Sequence, residues 1–293
     1  MPFDFKTFAS TVRVTDGAWG TQLQKQGLPP GSPPEIWNVS QPSAVETVAM
    51  SYVAAGSEVI ITNTFGANRF VLANHGIEDR TAELAEAGAR ISRKAADSAG
   101  RGVQVFASIG PTGKIMMMDE ASPQAIMAAF AETAEALAFG GAQALVLESF
   151  AELAELELAL RAVKKATDLP VVVSMTFASG PDKTVTMMGN KPADLAAMAI
   201  REGADAVGAN CGIGPESYVL VAQKLREATD LPVWIKANAG LPTVTREGTI
   251  FPMGPADFAA VMPRLIQAGA NFVGGCCGTT PEHIRQVVRA VRR

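Results

Sequence analysis

Histidine is nearly missing from this chain, with two residues, His75 and His283, in 293. Neither stands in a triad-like context, so histidine-driven nucleophilic catalysis has no support. His283 falls in the first turn of the last helical segment, where a surface role is expected. Basic runs are also missing. The 25 Lys and Arg are outnumbered by 29 Asp and Glu, and the formal net charge is −4. That excludes the electrostatic footprint of a nucleic-acid binder. No apolar stretch reaches the roughly 18–20 uncharged residues of a membrane span. The opening Met-Pro-Phe-Asp-Phe-Lys lacks the layout of a signal peptide. Cysteine is scarce and odd in number, at three, which argues against a disulfide framework and for a reducing, cytoplasmic setting. Gly17-Ala-Trp-Gly20 and Gly212-Ile-Gly-Pro215 do not follow the dinucleotide fingerprint, so a Rossmann reading fails.

What is present is rhythm. Hydrophobic residues make up 48% of the chain and charged residues 18%, enough for a large core. Short apolar runs alternate with longer helix-period segments. The runs are Thr11–Thr15, Glu58–Thr64, Val103–Ile109, Ala144–Ser149, Pro170–Thr176, Ala204–Cys211, Pro232–Asn238 and Asn271–Cys277. Eight strand-plus-helix units in this length predict an α/β fold, a single-domain (β/α)8 TIM barrel over residues 1–293. Ser43-Ala-Val-Glu46 and Ser149-Phe-Ala-Glu152 fit capping boxes, and Thr280-Pro281 fits an N-cap followed by proline. Gly56-Ser57, Gly141-Ala142, Gly203-Ala204 and Gly269-Ala270 precede alternate runs. This is a weak repeat, half of which the ordinary glycine preference of helix-to-strand turns explains. Two irregular stretches, Gly27–Pro34 and Gly113–Met118, follow the first and third runs, on the side where barrel enzymes build sites. The methionines Met116–Met118 read as adaptable packing, with a mobile lid as the alternative.

Each run ends in polar or metal-binding groups: Asp16-Gly17, Asn63-Thr64, Ser108, Glu148-Ser149, Ser174 with Thr176, Asn210-Cys211, Asn238 and Cys276-Cys277. Polar groups gathered at one rim of an apolar barrel are costly unless they act there. The cysteines all lie at the ends of the sixth and eighth runs, flanked by glycine. Three thiols are one short of a structural four-thiol zinc site and match the open, catalytic arrangement. Neighbouring residues on a strand face opposite ways, so Cys276 and Cys277 need a local distortion, which Gly274, Gly275 and Gly278 allow. Soft thiolates favour zinc. A three-thiolate zinc is a weak Lewis acid, better suited to holding an incoming thiol as thiolate than to activating water. The expected chemistry is a thiol attacking an electrophilic carbon, with the Asp16 and Glu148 carboxylates facing the ammonium of an amino acid.

At this point the chain resembles the homocysteine S-methyltransferase family from Asp16 to about His283. The resemblance rests on Asp16–Thr21, Thr62–Phe65, Ser108–Pro111, Glu148, Gly208–Cys211, Asn238–Pro242 and the Gly274-Gly-Cys-Cys-Gly278 motif. It implies a barrel whose Cys211, Cys276 and Cys277 bind zinc, with Asn238 as a fourth ligand until homocysteine displaces it. It implies Asp16 and Glu148 as catalytic groups that bind the substrate ammonium, and Gly17, Ser108 and Asn210 as further substrate-binding positions. The implied reaction moves a methyl group to homocysteine, giving methionine. The implied donors are methylcobalamin on a partner protein, betaine, or S-methylmethionine. Asn63-Thr64-Phe65 and Asn238–Pro242 look more like the homocysteine modules of cobalamin-dependent synthases and betaine enzymes. A cobalamin donor would call for separate cobalamin- or folate-binding subunits. A betaine donor would need an aromatic cage, for which Trp19, Trp37, Phe65 and Phe150 are candidates. A methyltransferase for another thiol or selenol, and a non-catalytic zinc-containing barrel subunit, are the competing readings.

Overall fold

The computed structural model describes residues 3–118, 120–245 and 248–292. All eight apolar runs become parallel strands: β1 Arg13–Val14, β2 Val59–Ile60, β3 Gln104–Ile109, β4 Ala144–Phe150, β5 Val171–Met175, β6 Ala206–Cys211, β7 Val233–Ala237 and β8 Ala270–Gly275. Their lateral order is β1-β8-β7-β6-β5-β4-β3-β2, and a parallel bridge from Thr15 to Val59 closes the circle. Helices follow the strands and shield them: Pro42–Ala55, Thr81–Asp97, Pro123–Phe139, Leu153–Ala166, Pro192–Glu202, Pro215–Ala228, the pair Pro255–Ala260 and Met262–Gln267, and Pro281–Val291. Strands covered on both faces are mostly apolar: Val171–Met175 is buried at every position, and its one polar side chain, Ser174, is hydrogen-bonded to Asn210. This is the (β/α)8 barrel that the alternation predicts.

One end of the barrel is plugged. Phe106, Trp234 and Phe272 fill the interior near the strand starts, with ring centroids 6.0 Å apart for Phe106–Trp234 and 5.3 Å for Trp234–Phe272. The short helix Phe5–Phe8, capped by Asp4, sets Phe5 against Phe272 at 6.0 Å. Closing that end with rings leaves the strand C-termini as the open end, where the polar run-ends collect.

Several local expectations are corrected. The first barrel helix starts at Pro42 with Gln41 as N-cap, so Ser43 and Glu46 form no capping box; proline pre-sets the first helical position one residue earlier. Ser149 does not cap either. It is the next-to-last residue of β4 and lies in the left-handed region (φ 65°), its N–H donating to Asn210 Oδ1 at 2.8 Å, and the helix starts only at Leu153. Thr280 does cap, in a reciprocal box with His283. His283 is therefore not a surface residue. It is buried, its Nε2 lies 3.0 Å from Met253 O, and burial pushes its pKa down. Gly56, Gly141, Gly203 and Gly269 all have φ between 74° and 104° at helix ends, so turn chemistry accounts for that repeat. Gly27–Pro34 is a loop ending in a one-turn helix, Pro34–Ile36. Met116–Met118 forms another, with Met116 packed on the core and Met118 exposed. A hairpin, Thr243–Thr245 with Gly248–Ile250, follows β7 unforeseen; its turn lies outside the described residues.

The β8–β1 contact is tight. A Cβ on Gly274 would overlap Thr15 Oγ1 and lie 2.8 Å from the Asp16 carbonyl oxygen. Gly274→Ala is expected to cost about 2 kcal/mol, read as a lower urea midpoint with unchanged slope. An unchanged midpoint would show that the barrel seam tolerates a side chain there.

Candidate metal centre

Cys211 closes β6 in the left-handed region, with φ 65°, as does Gly212 after it. A non-glycine residue holds that conformation only when its surroundings impose it. Here Tyr218 Oη donates to the carbonyls of Asn210 and Cys211, both at 2.9 Å, and Thr176 Oγ1 donates to Asn210 O at 3.1 Å. Cys276 and Cys277 lie just past β8. Cys276 N–H donates to Ala237 O at 2.7 Å, Ala239 N–H donates to Cys277 O at 2.9 Å, and Thr279 Oγ1 donates to Cys276 O at 2.7 Å. The chain has left strand geometry, so the two neighbouring thiols no longer face opposite ways. Gly275 and Gly278 allow it by close approach: a Cβ there would collide with Thr279 and Phe251 respectively.

The three sulfurs lie within 4.8 Å of one another, with 3.9 Å between Cys276 and Cys277. A tetrahedral ion with metal–sulfur bonds of about 2.3 Å spaces its sulfurs about 3.8 Å apart. Asn238 follows β7, and its Nδ2 donates to Gly212 O at 3.0 Å. Its Oδ1 is buried and, among the described residues, has no hydrogen-bond partner. The three converging thiols could hold a thiophilic metal ion, and Asn238, just past the intervening strand, carries a buried amide oxygen with no protein partner among the described residues. The three thiols are not equivalent. Cys276 and Cys277 donate to Cys211 and hold its pKa far below the ordinary thiol value, with the Gly212 N–H and Asn238 assisting. The same bonds push Cys276 up, and with burial they push Cys277 up.

A cavity of about 570 Å³ opens over the sulfurs, lined also by Gly17, Trp19, Thr62, Thr64, Phe65, Ser108, Glu148, Ser149 and Lys236. Gly17 is small of necessity: a Cβ would sit 2.6 Å from Thr279 Oγ1 and 2.8 Å from Tyr52 Oη. Glu148 is buried at the end of β4 and accepts the Ser108 hydroxyl on Oε1, with Asn210 Nδ2 at 3.4 Å from Oε2. Burial pushes its carboxyl above the usual range, while Lys236 and Ser108 pull it back.

Two expectations are corrected here. Asp16 offers no free carboxylate to the cavity. It is fully buried, ion-paired to Lys236 Nζ through Oδ1, and its Oδ2 accepts Trp19 Nε1 and Ile61 N, each at 2.8 Å. Asn210 is also fully buried and spent. Its Oδ1 accepts Ser149 N–H at 2.8 Å and Ser174 Oγ at 2.7 Å, and its Nδ2 donates to Ser149 Oγ at 2.6 Å. Both side chains are engaged by protein partners. Of the four candidate cage rings, Trp19 and Phe65 line the cavity, whereas Phe150 is fully buried and Trp37 packs against the core. Lys236 was missed. Its signal was a lone lysine inside an apolar run, on the same strand parity as Trp234 and Asn238.

The family model for homocysteine S-methyltransferase matches residues 13–291. The chain belongs to the homocysteine S-methyltransferase family. Methionine synthases of Mycobacterium leprae and Mycobacterium tuberculosis are 33% and 34% identical over 98% and 96% of this chain. The chain spans only about a quarter of their length, 25% and 24%. The crystal structure of the homocysteine methyltransferase MmuM from Escherichia coli, apo form, superposes with a TM-score of 0.76 at 25% identity over 96% of both chains. Its metallated form gives 0.80 at 24% identity over 99% of both.

Metal uptake by thiols displaces their protons. Acid therefore weakens binding. Chelator competition between pH 6 and 8 is expected to show metal affinity rising with pH. An affinity that does not rise with pH would contradict ligation by thiolates.

Proposed function

We propose that residues 1–293 act as one homocysteine-binding barrel domain that moves a methyl group from a donor to the sulfur of L-homocysteine, giving methionine. The observation that carries this reading is the convergence of three sulfurs on a cavity whose wall also bears the buried carboxylate of Glu148. Of the thiol, ammonium and carboxylate of homocysteine, the sulfurs and Glu148 suit the first two.

Zinc is the proposed ion, held by Cys211, Cys276 and Cys277 with Asn238 Oδ1 as the exchangeable fourth donor; when bound, it keeps an incoming thiol deprotonated at neutral pH. The chain's own residues do the rest. Glu148 accepts the substrate ammonium, and Ser108 fixes that carboxylate by donating to it. Backbone groups at Gly17 and Ser108 border the space for the substrate carboxylate. Asp16 and Asn210 hold the neighbouring side chains in place. The substrate sulfur then attacks the methyl carbon in line: the S–C bond forms as the bond to the donor breaks, and the donor leaves with the electron pair. Orientation of this kind is worth up to about 7–11 kcal/mol. A reducing cytoplasm is the proposed setting, supported by three free thiols.

Protein-borne methylcobalamin is the donor we favour over betaine and S-methylmethionine. Identity to the two methionine synthases exceeds identity to MmuM. Loops after β2, β3, β5 and β7, at the cysteine end, also expose Phe65, Met118, Met187 and Leu241. Large exposed apolar side chains sharing one end of a barrel suit a protein-borne donor.

Zinc-loaded protein given homocysteine should form methionine with free methylcobalamin and not with betaine or S-methylmethionine. Turnover with either of the latter would replace the donor, and methionine from none of the three would contradict the reading. Glu148→Gln should raise KM for homocysteine about tenfold or more with zinc content unchanged, as expected for a lost charged hydrogen bond. Cys277→Ala should fold, lose zinc and lose turnover.

A further inference from the structure

Lys236 is spent on Asp16 only in part. The inward face of β7 reads, from plug to rim, Trp234, Lys236 and Asn238. The ammonium stands 5.7 Å above the Trp234 ring, which seals it from below. Among the described residues its one hydrogen-bond partner is Asp16 Oδ1, although an ammonium carries three donors. Lys236 also lines the cavity, and the other basic residue on that wall among the described residues is His75. Its strand lies between β6 and β8, which carry the sulfurs, while Glu148 reaches in from β4.

The cavity thus carries a sulfur-binding corner, a buried anion with spare acceptor capacity on Oε2, and a buried cation with unspent donors. Those are the three complements of a thiol-bearing zwitterion. We propose that Lys236 binds the α-carboxylate of the substrate and makes the site select amino-acid thiols over simple aminothiols. Asp16 is then the positioning residue: its second oxygen is fixed by Trp19 and Ile61, so it holds the ammonium at the cavity wall. The inference rests on the functional reading above and deepens it. It adds a side-chain cation where the sequence resemblance offered backbone groups alone.

The alternative role for Lys236 is purely structural, as the counter-ion of Asp16. The two roles separate by ligand. Zinc-loaded wild type, Lys236→Met and the double variant Asp16→Asn/Lys236→Met, which strands no buried anion, would be titrated calorimetrically. The ligands are L-homocysteine and 3-aminopropane-1-thiol, which is homocysteine without its carboxylate. Wild type is expected to prefer homocysteine by about thirtyfold or more, and both variants to lose at least tenfold of that preference. Their affinity for the aminothiol should stay within about threefold of wild type, because that ligand never meets the lysine. Wild-type preference retained in the double variant, or equal weakening of both ligands, would overturn the assignment while leaving the methyltransferase reading intact. Failure of wild type to bind homocysteine at all would overturn both.

Discussion

The structure depends on bringing three sulfurs from two non-adjacent strands to within 4.8 Å of one another. A regular parallel barrel does not do this: β7 separates β6 from β8, and alternation would turn one of two adjacent cysteines outward. The chain solves the problem at the strand ends. β6 terminates in a left-handed cysteine pinned by Tyr218, and β8 gives way to a turn pinned by Thr279 and by the loop after β7. Glycine at 274, 275 and 278 is required because neighbouring atoms occupy the space of a side chain. The apolar barrel provides the rigidity, and the local departures from regularity provide the site.

Charge follows the same division. Asp16, Glu148 and Lys236 are each almost wholly inaccessible to water. An isolated ion there would be prohibitively costly, so the three are legible only as a set. Burial alone would push the Lys236 ammonium's pKa down, but Asp16 and Glu148 outweigh it and hold it above the ordinary lysine value. The cavity wall over the sulfurs therefore carries one buried carboxylate, Glu148, and one buried ammonium, Lys236.

Much of this was readable in the sequence because it repeats or because it is chemically rare. Eight apolar runs fix eight strands, since a buried parallel strand tolerates little else. Three glycine-flanked cysteines at run ends leave few alternatives to a metal centre. What was not readable depends on partners distant in sequence. Asp16 looks like a free rim acid until β7 delivers Lys236 from 220 positions away. Asn210 looks ligand-facing until Ser149 and Ser174 are seen to consume it. His283 looks exposed until the loop after β7 supplies the Met253 carbonyl. The false capping box at Ser149 has the same origin, an asparagine on another strand, whereas the one at Ser43 yields to the proline beside it.

The central claim is a three-sulfur site whose remaining donor gives way to the sulfur of the substrate. X-ray absorption at the zinc edge of the loaded protein tests it directly. The account predicts three sulfurs at about 2.3 Å and one lighter oxygen or nitrogen neighbour without substrate, becoming four sulfurs when homocysteine is added. A first shell with fewer than three sulfurs, or one unchanged by homocysteine, would contradict it.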